Sequence, residues 1–153
     1  MYTYQQALEA SIKYFGGEEL PAKVFVDKYA MRNHENQLVE LTPDDTHRRL
    51  AKEFARVEKT KFKKPYTEEE IFELFKHFRY IIPQGSPLMG IGNNYQTVSI
   101  SNCFVVPSPE DSYGGILKTD QHIAQISKRR GGIGFDISTL RPSGSYVKNA
   151  AST

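Results

Sequence analysis

Cys103 is the only cysteine among 153 residues, and it stands in a strand-like run, Thr97 to Val106, with two serines nearby. Side chains alternate along a strand, so Ser99, Ser101, Cys103 and Val105 fall on one face and Val98, Ile100, Phe104 and Val106 on the other. A free cysteine reads first as a packed thiol, since it is among the most buried residue types. The serines on its face and Asn102 beside it read differently, as the polar end of a strand that walls a site. One cysteine forms no internal disulfide and no multi-cysteine zinc site, so redox work by Cys103 needs a thiol from elsewhere.

Two glycine-rich segments are the next candidates. Gly85-Ser86-Pro87 and Arg130-Gly131-Gly132-Ile133-Gly134 are either turn punctuation or places where backbone approaches a phosphate or ribose closely. The second is not a dinucleotide fingerprint, because it follows a helix and precedes a strand, the reverse of that motif. Asp111 reads as a helix cap and Arg141 as a surface charge. The alternative is an anion site, with Arg141 and Lys148 bracketing Pro142-Ser143-Gly144-Ser145 and a carboxylate accepting from a ribose or base. His34, His47, His77 and His122 lack ligand spacing, so no histidine metal site is expected.

The elements that must hold these residues begin with helices. Leu8, Ile12 and Phe15 recur at helical spacing over Tyr4–Phe15, and Gly16-Gly17 stops the run. Pro21 opens a second helix to about Ala30, although Val24-Phe25-Val26 also suits a strand. Thr42-Pro43-Asp44-Asp45 caps a helix running to about Lys59 with Leu50, Phe54 and Val57 on one face. Thr67 and Glu70 form a capping box ahead of Ile71, Leu74, Phe75 and Phe78. From Pro83 the composition turns to Gly, Pro and Asn, which predicts turns and a boundary between residues 1–82 and 83–153. Strand 97–106, a helix capped at Asp111-Ser112 with Ile116, Thr119, Ile123 and Ile126 on its buried side, and strand 133–137 make a βαβ unit. Gly131-Gly132 ends that helix near Arg130. The fold class is α+β.

Lys and Arg outnumber Asp and Glu by 20 to 18, which argues against a dedicated nucleic-acid or membrane-surface protein. The cluster Lys59, Lys61, Lys63 and Lys64 before Pro65 reads as a solvated linker, with nucleic-acid binding as the alternative. No apolar run approaches the roughly 20 residues that span a bilayer, and the N-terminus lacks a signal-peptide layout, so a cytoplasmic protein is expected.

Ser101-Asn102-Cys103, then Asp111-Ser112-Tyr113-Gly114-Gly115-Ile116, then Lys128 through Asp136, resemble the large subunit of ribonucleotide reductases in order and spacing. Leu140 to Ser145 and Lys148-Asn149-Ala150-Ala151 continue the resemblance. Arg129-Arg130-Gly131-Gly132 with Lys148-Asn149-Ala150-Ala151 is most similar to the class II enzymes that use adenosylcobalamin. Leu20-Pro21-Ala22, Val24-Phe25 and Lys28-Tyr29-Ala30 are similar to that class too.

The resemblance implies an N-terminal helical domain followed by the first strand-helix-strand unit of a ten-stranded α/β barrel, left incomplete. It implies that Cys103 reduces substrate and ends in a disulfide with a second cysteine. Ser86, matched across a one-residue gap, would lie near the substrate phosphates; Asn102 and Cys103 would line the substrate and Gly132 would lie beneath it. Asp111, Arg141 and Lys148, with Ser112 adjacent, would bind a deoxynucleoside triphosphate effector. The thiyl-radical cysteine and the second reducing cysteine would follow Thr153, on the C-terminal remainder of the subunit. The resemblance also implies a ribonucleotide substrate, a thioredoxin-like reductant and a homodimer formed through the helix at about 112–130. A non-catalytic nucleotide-binding or assembly module and a class I large-subunit fragment are the alternative readings.

Overall fold

The computed structural model describes residues 1–147, and the chain divides into two compact units, one of Met1–Asn102 and one that starts at Cys103. No helix among the described residues is long and apolar enough to cross a membrane.

The first unit is helical: α1 (Tyr4–Tyr14), α2 (Glu19–Lys28), α3 (Pro43–Lys61), α4 (Glu68–Phe75) and a short α5 (Gly85–Gly90). Local sequence sets most of the starts. Thr3, Thr42 and Thr67 each close a capping box with the residue three positions on, and Pro43 adds its preset φ in the first turn of α3. The segment open to helix or strand at Val24-Phe25-Val26 is helix. Phe25 and Val26 pack there with Ala7, Ala30 and Leu38. A second cluster joins Leu50, Ala51 and Ala55 of α3 to Ile71, Phe72 and Phe75 of α4 and Leu88 of α5.

Two expectations for this unit fail. The fourth helix does not run to Phe78: α4 ends at Phe75, a 3-10 turn covers Lys76–Phe78, and His77 and Phe78 take left-handed φ of 52° and 54°. Ring contacts go with the break, since His77 stacks on Tyr14 at 4.9 Å and Phe78 meets His47 edge-on at 4.6 Å. The expected turns after Pro83 contain α5 instead. Its last carbonyls find a partner outside the helix, because Arg49 Nη2 donates to Leu88 O at 2.9 Å and Arg49 Nη1 to Ile91 O.

Arg49 is itself held in the interior. Its Nε donates to Glu40 Oε1 at 2.7 Å, and Glu40 Oε2 accepts from Met31 N at 2.8 Å and Thr46 Oγ1 at 2.7 Å. The Glu40 and Arg49 side chains are only 4% and 9% exposed. One buried ion pair therefore links the α2–α3 connection, α3 and α5.

The second unit holds β1 (Cys103–Val105), α6 (Tyr113–Ser127) and β2 (Gly132–Gly134), with β1 and β2 parallel in an open two-stranded sheet. The parallel pair agrees with the βαβ expectation, but both strands are shorter than predicted. Residues 97–102 are not strand, because the Ser99 hydroxyl is used locally: it donates to Ser101 O at 2.8 Å and accepts from Ser101 N at 3.0 Å. At the other end Asp136 accepts from Ser138 N and Oγ, a turn that stops extension past Gly134. Helix α6 ends at Ser127, and the left-handed residue after it is Arg130, φ 65°, instead of a glycine. Gly131 is needed for space: a Cβ there would lie 2.5 Å from Ile126 Cγ2 and 2.8 Å from Phe104 Cε2.

Candidate functional site

Three clusters contain the residues expected to carry chemistry. The first, within the helical unit, is built on Asn102. Its Oδ1 accepts from Ser86 N at 3.0 Å and its Nδ2 donates to Gln84 Oε1 at 2.6 Å, so one amide side chain ties residues 84–86 to the end of the segment that leads into β1. Gly90 lets that segment lie against α5, since a Cβ there would meet Val98 Cγ2 at 2.6 Å. Ser86 is buried, at 3% exposure. Gln84, which sequence reasoning passed over as part of a turn, is the second partner of Asn102; nothing in its local sequence marks it.

The second cluster is the sheet itself. Cys103 pairs in register with Gly132, and Val105 with Gly134. Paired residues of neighbouring strands project to the same face, so the thiol stands beside positions that carry no side chain. Cys103, Val105, Gly132 and Gly134 are all exposed, while Phe104 and Ile133 are partly covered and Val106 is buried. The alternation expected from sequence thus holds from Cys103 to Val106, with Cys103 on the open face. Ser99 and Ser101 precede the strand and do not extend its polar face. An exposed thiol on a glycine-floored shelf is free to meet a reactant lying across both strands.

In the third cluster Asp111 and Arg141, thirty residues apart, are bonded together. Arg141 Nε lies 2.8 Å from Asp111 Oδ2 and 3.0 Å from Oδ1, and Arg141 Nη2 donates to Asp111 O at 3.1 Å. The Arg141 guanidinium beside it holds the Asp111 carboxyl below its ordinary range. Thr139 Oγ1 donating to Pro109 O at 2.6 Å pins the same two loops. The helix cap at this point is Ser112, whose Oγ accepts from Gly115 N at 3.0 Å, which leaves Asp111 to the ion pair. Asp111 and Arg141 are each about two-fifths exposed, so the pair is open to an incoming anion or hydrogen-bond donor. Lys148, expected beside them, lies outside the described residues.

β1, α6 and β2 form a strand-helix-strand unit with a parallel two-stranded sheet and Cys103 on its first strand. Residues 101–153 match the family model described as "Ribonucleotide reductase, barrel domain". The chain is 45% identical over 49 residues to the ribonucleoside-diphosphate reductase large chain of Cryptosporidium parvum, which covers 32% of this chain and 6% of that protein. The large subunit from Variola virus is 48% identical over 48 residues, covering 31% and 6%. The large chain 2 of Saccharomyces cerevisiae is 33% identical over 75 residues, covering 49% and 8%. The chain therefore spans only 6 to 8% of the length of these relatives.

Proposed function

We propose that this chain is the N-terminal part of a ribonucleotide reductase large subunit, and that Cys103 is one of the two thiols that reduce the substrate. The observation that carries the reading is the exposed Cys103 on β1 in register with Gly132 on β2, inside the segment similar to the reductase barrel domain. In this reading β1, α6 and β2 open the ten-stranded barrel, and the remainder of the subunit completes it.

The chemistry asked of Cys103 is a two-electron reduction shared with a second cysteine. The pair supplies two electrons and two protons, the ribose 2′ hydroxyl leaves as water, a hydrogen takes its place, and the sulfurs end joined as a disulfide. The glycines of β2 leave room for the ribose to approach the thiol. The resemblance also assigns Asn102 and Ser86 to substrate binding, Ser86 toward the phosphates, and the bond from Ser86 N to Asn102 Oδ1 supports a shared role for these two. The names of the similar proteins support a ribonucleoside diphosphate as that substrate. Asp111 and Arg141, with Ser112 and Lys148, would hold a deoxynucleoside triphosphate effector; the pairing of Asp111 with Arg141 supports a shared role.

The class II assignment rests on the residue resemblance at 129–132 and 148–151. Adenosylcobalamin would supply the radical in the assembled enzyme, and no residue of this chain is assigned to hold it. A thioredoxin-like protein would return the electrons, and dimerisation through α6 is part of the same proposal, as is a cytoplasmic location.

The test is reductase turnover in the assembled subunit carrying Cys103→Ser. Lost turnover with nucleotide binding kept supports the assignment, and full turnover rejects it. Dependence on adenosylcobalamin supports class II; dependence on a separate radical-generating protein replaces it with class I.

A further inference from the structure

Arg48, Lys52, Arg56 and Lys59 follow one another along α3 at intervals of four, four and three. At 100° per residue they share an arc of about 80°, and at 1.5 Å per residue they span about 16 Å. Residues 48–64 contain eight Lys or Arg and two Glu, whereas the whole chain holds 20 basic and 18 acidic residues. Excess positive charge is thus concentrated on α3 and the segment after it, while the rest of the chain is net acidic.

The four cations line a groove of about 790 Å³, to which Gly92, Asn93 and Asn94 also contribute. That volume is in the range of small-ligand sites. Most acids in its wall are already engaged. Glu40 is held by Arg49, Thr46 and Met31 N, and Asp45 accepts from Leu41 N at 2.7 Å and Thr42 N at 2.9 Å. Glu53 pairs with Arg56, and Arg48 pairs with Glu69 across the surface. Exposed pairs of this kind contribute little and yield to a better anion. Among the described residues Lys52 and Lys59 make no ion pair, and Glu68 is the remaining acid of the groove.

We propose that this groove binds a linear polyphosphate group, with Lys52 and Lys59 as its main contacts and Arg48 and Arg56 as exchangeable ones. The two free ammoniums start two helical turns apart, about 10 Å along the axis. A single carboxylate or orthophosphate engages one of them; a chain of phosphates carries anionic oxygens along its length and reaches both, with the arginine forks beside it. The site lies within residues 31–94, outside the segment similar to the reductase barrel, so it does not depend on the function proposed for Cys103.

Calorimetry on the full chain at low salt tests it, with tripolyphosphate as the probe and orthophosphate as the control. The expected result is one tripolyphosphate per chain, orthophosphate far weaker, and a loss of about tenfold for each of Lys52→Gln and Lys59→Gln. Both lysines are exposed, and unchanged circular dichroism checks that the variants fold. Equal affinity for adenosine triphosphate assigns recognition to the phosphates alone, and tighter binding adds a base contact; both agree with the site. No binding, binding indifferent to both lysines, or binding abolished by Arg141→Ala overturns it.

Discussion

Replacing Arg49 by methionine should be among the most damaging single changes to the helical unit. It keeps the unbranched stem as far as the ε position and removes the guanidinium that pairs with Glu40. The carboxylate, 4% exposed, would keep two neutral donors, Met31 N and Thr46 Oγ1, and lose its charge partner. Breaking a buried pair from one side costs about 3–5 kcal/mol. Leu88 O and Ile91 O would also lose their donor, although water can reach the end of a short helix more easily than the interior. Against a typical domain stability of about 5–15 kcal/mol, that loss removes a large share. Urea unfolding followed by circular dichroism should show the midpoint of the helical transition falling steeply for Arg49→Met. The double change Glu40→Gln with Arg49→Met should recover part of it, because the stranded charge is gone while Met31 N and Thr46 Oγ1 keep an acceptor. A single variant within about 1 kcal/mol of the parent would refute the argument that this pair holds α5 in place.

Further expectations concern the second unit and the buried histidine. Gly115→Ala should destabilise the start of α6 by about 1–3 kcal/mol, since a Cβ there would lie 2.5 Å from Glu110 O and 2.8 Å from Glu110 N; hydrogen exchange in the α6 amides is the readout. Burial lowers the pKa of His47 from its ordinary 6.5, more strongly than Asp44 raises it. Below about pH 6.5 the unfolded chain therefore binds a proton that the folded chain refuses. The stability contribution is full above that pH and is lost as pH falls toward the folded-state pKa. Unfolding midpoints at successive pH values should fall less in His47→Phe than in the parent over this window.

What the sequence could disclose was mostly what is local. Thr42 before Pro43 and Thr67 before Glu70 mark helix starts because cap and capped groups lie within four residues. The faces of β1 were legible from alternation, and Cys103 stands where that pattern put it. Helix α5 was not legible, since its composition favours turns and its carbonyls are held by Arg49, some forty residues away. Residues 97–101 had strand composition, yet the Ser99 hydroxyl offers the backbone a turn instead. The Asp111–Arg141 pair crosses thirty residues, and spacing alone left the two as a cap and a surface charge. Gly131 looked like a helix stop, while its actual requirement is room beside Ile126 and Phe104.

The most direct test of the central claim follows the sulfur. The assembled reductase containing this chain is given one round of ribonucleoside diphosphate without external reductant, then alkylated, digested and examined by mass spectrometry. The Cys103 peptide should be recovered in a disulfide with a cysteine from outside these 153 residues, in proportion to the deoxynucleotide formed. Deoxynucleotide formation with Cys103 recovered as the alkylated free thiol would contradict it.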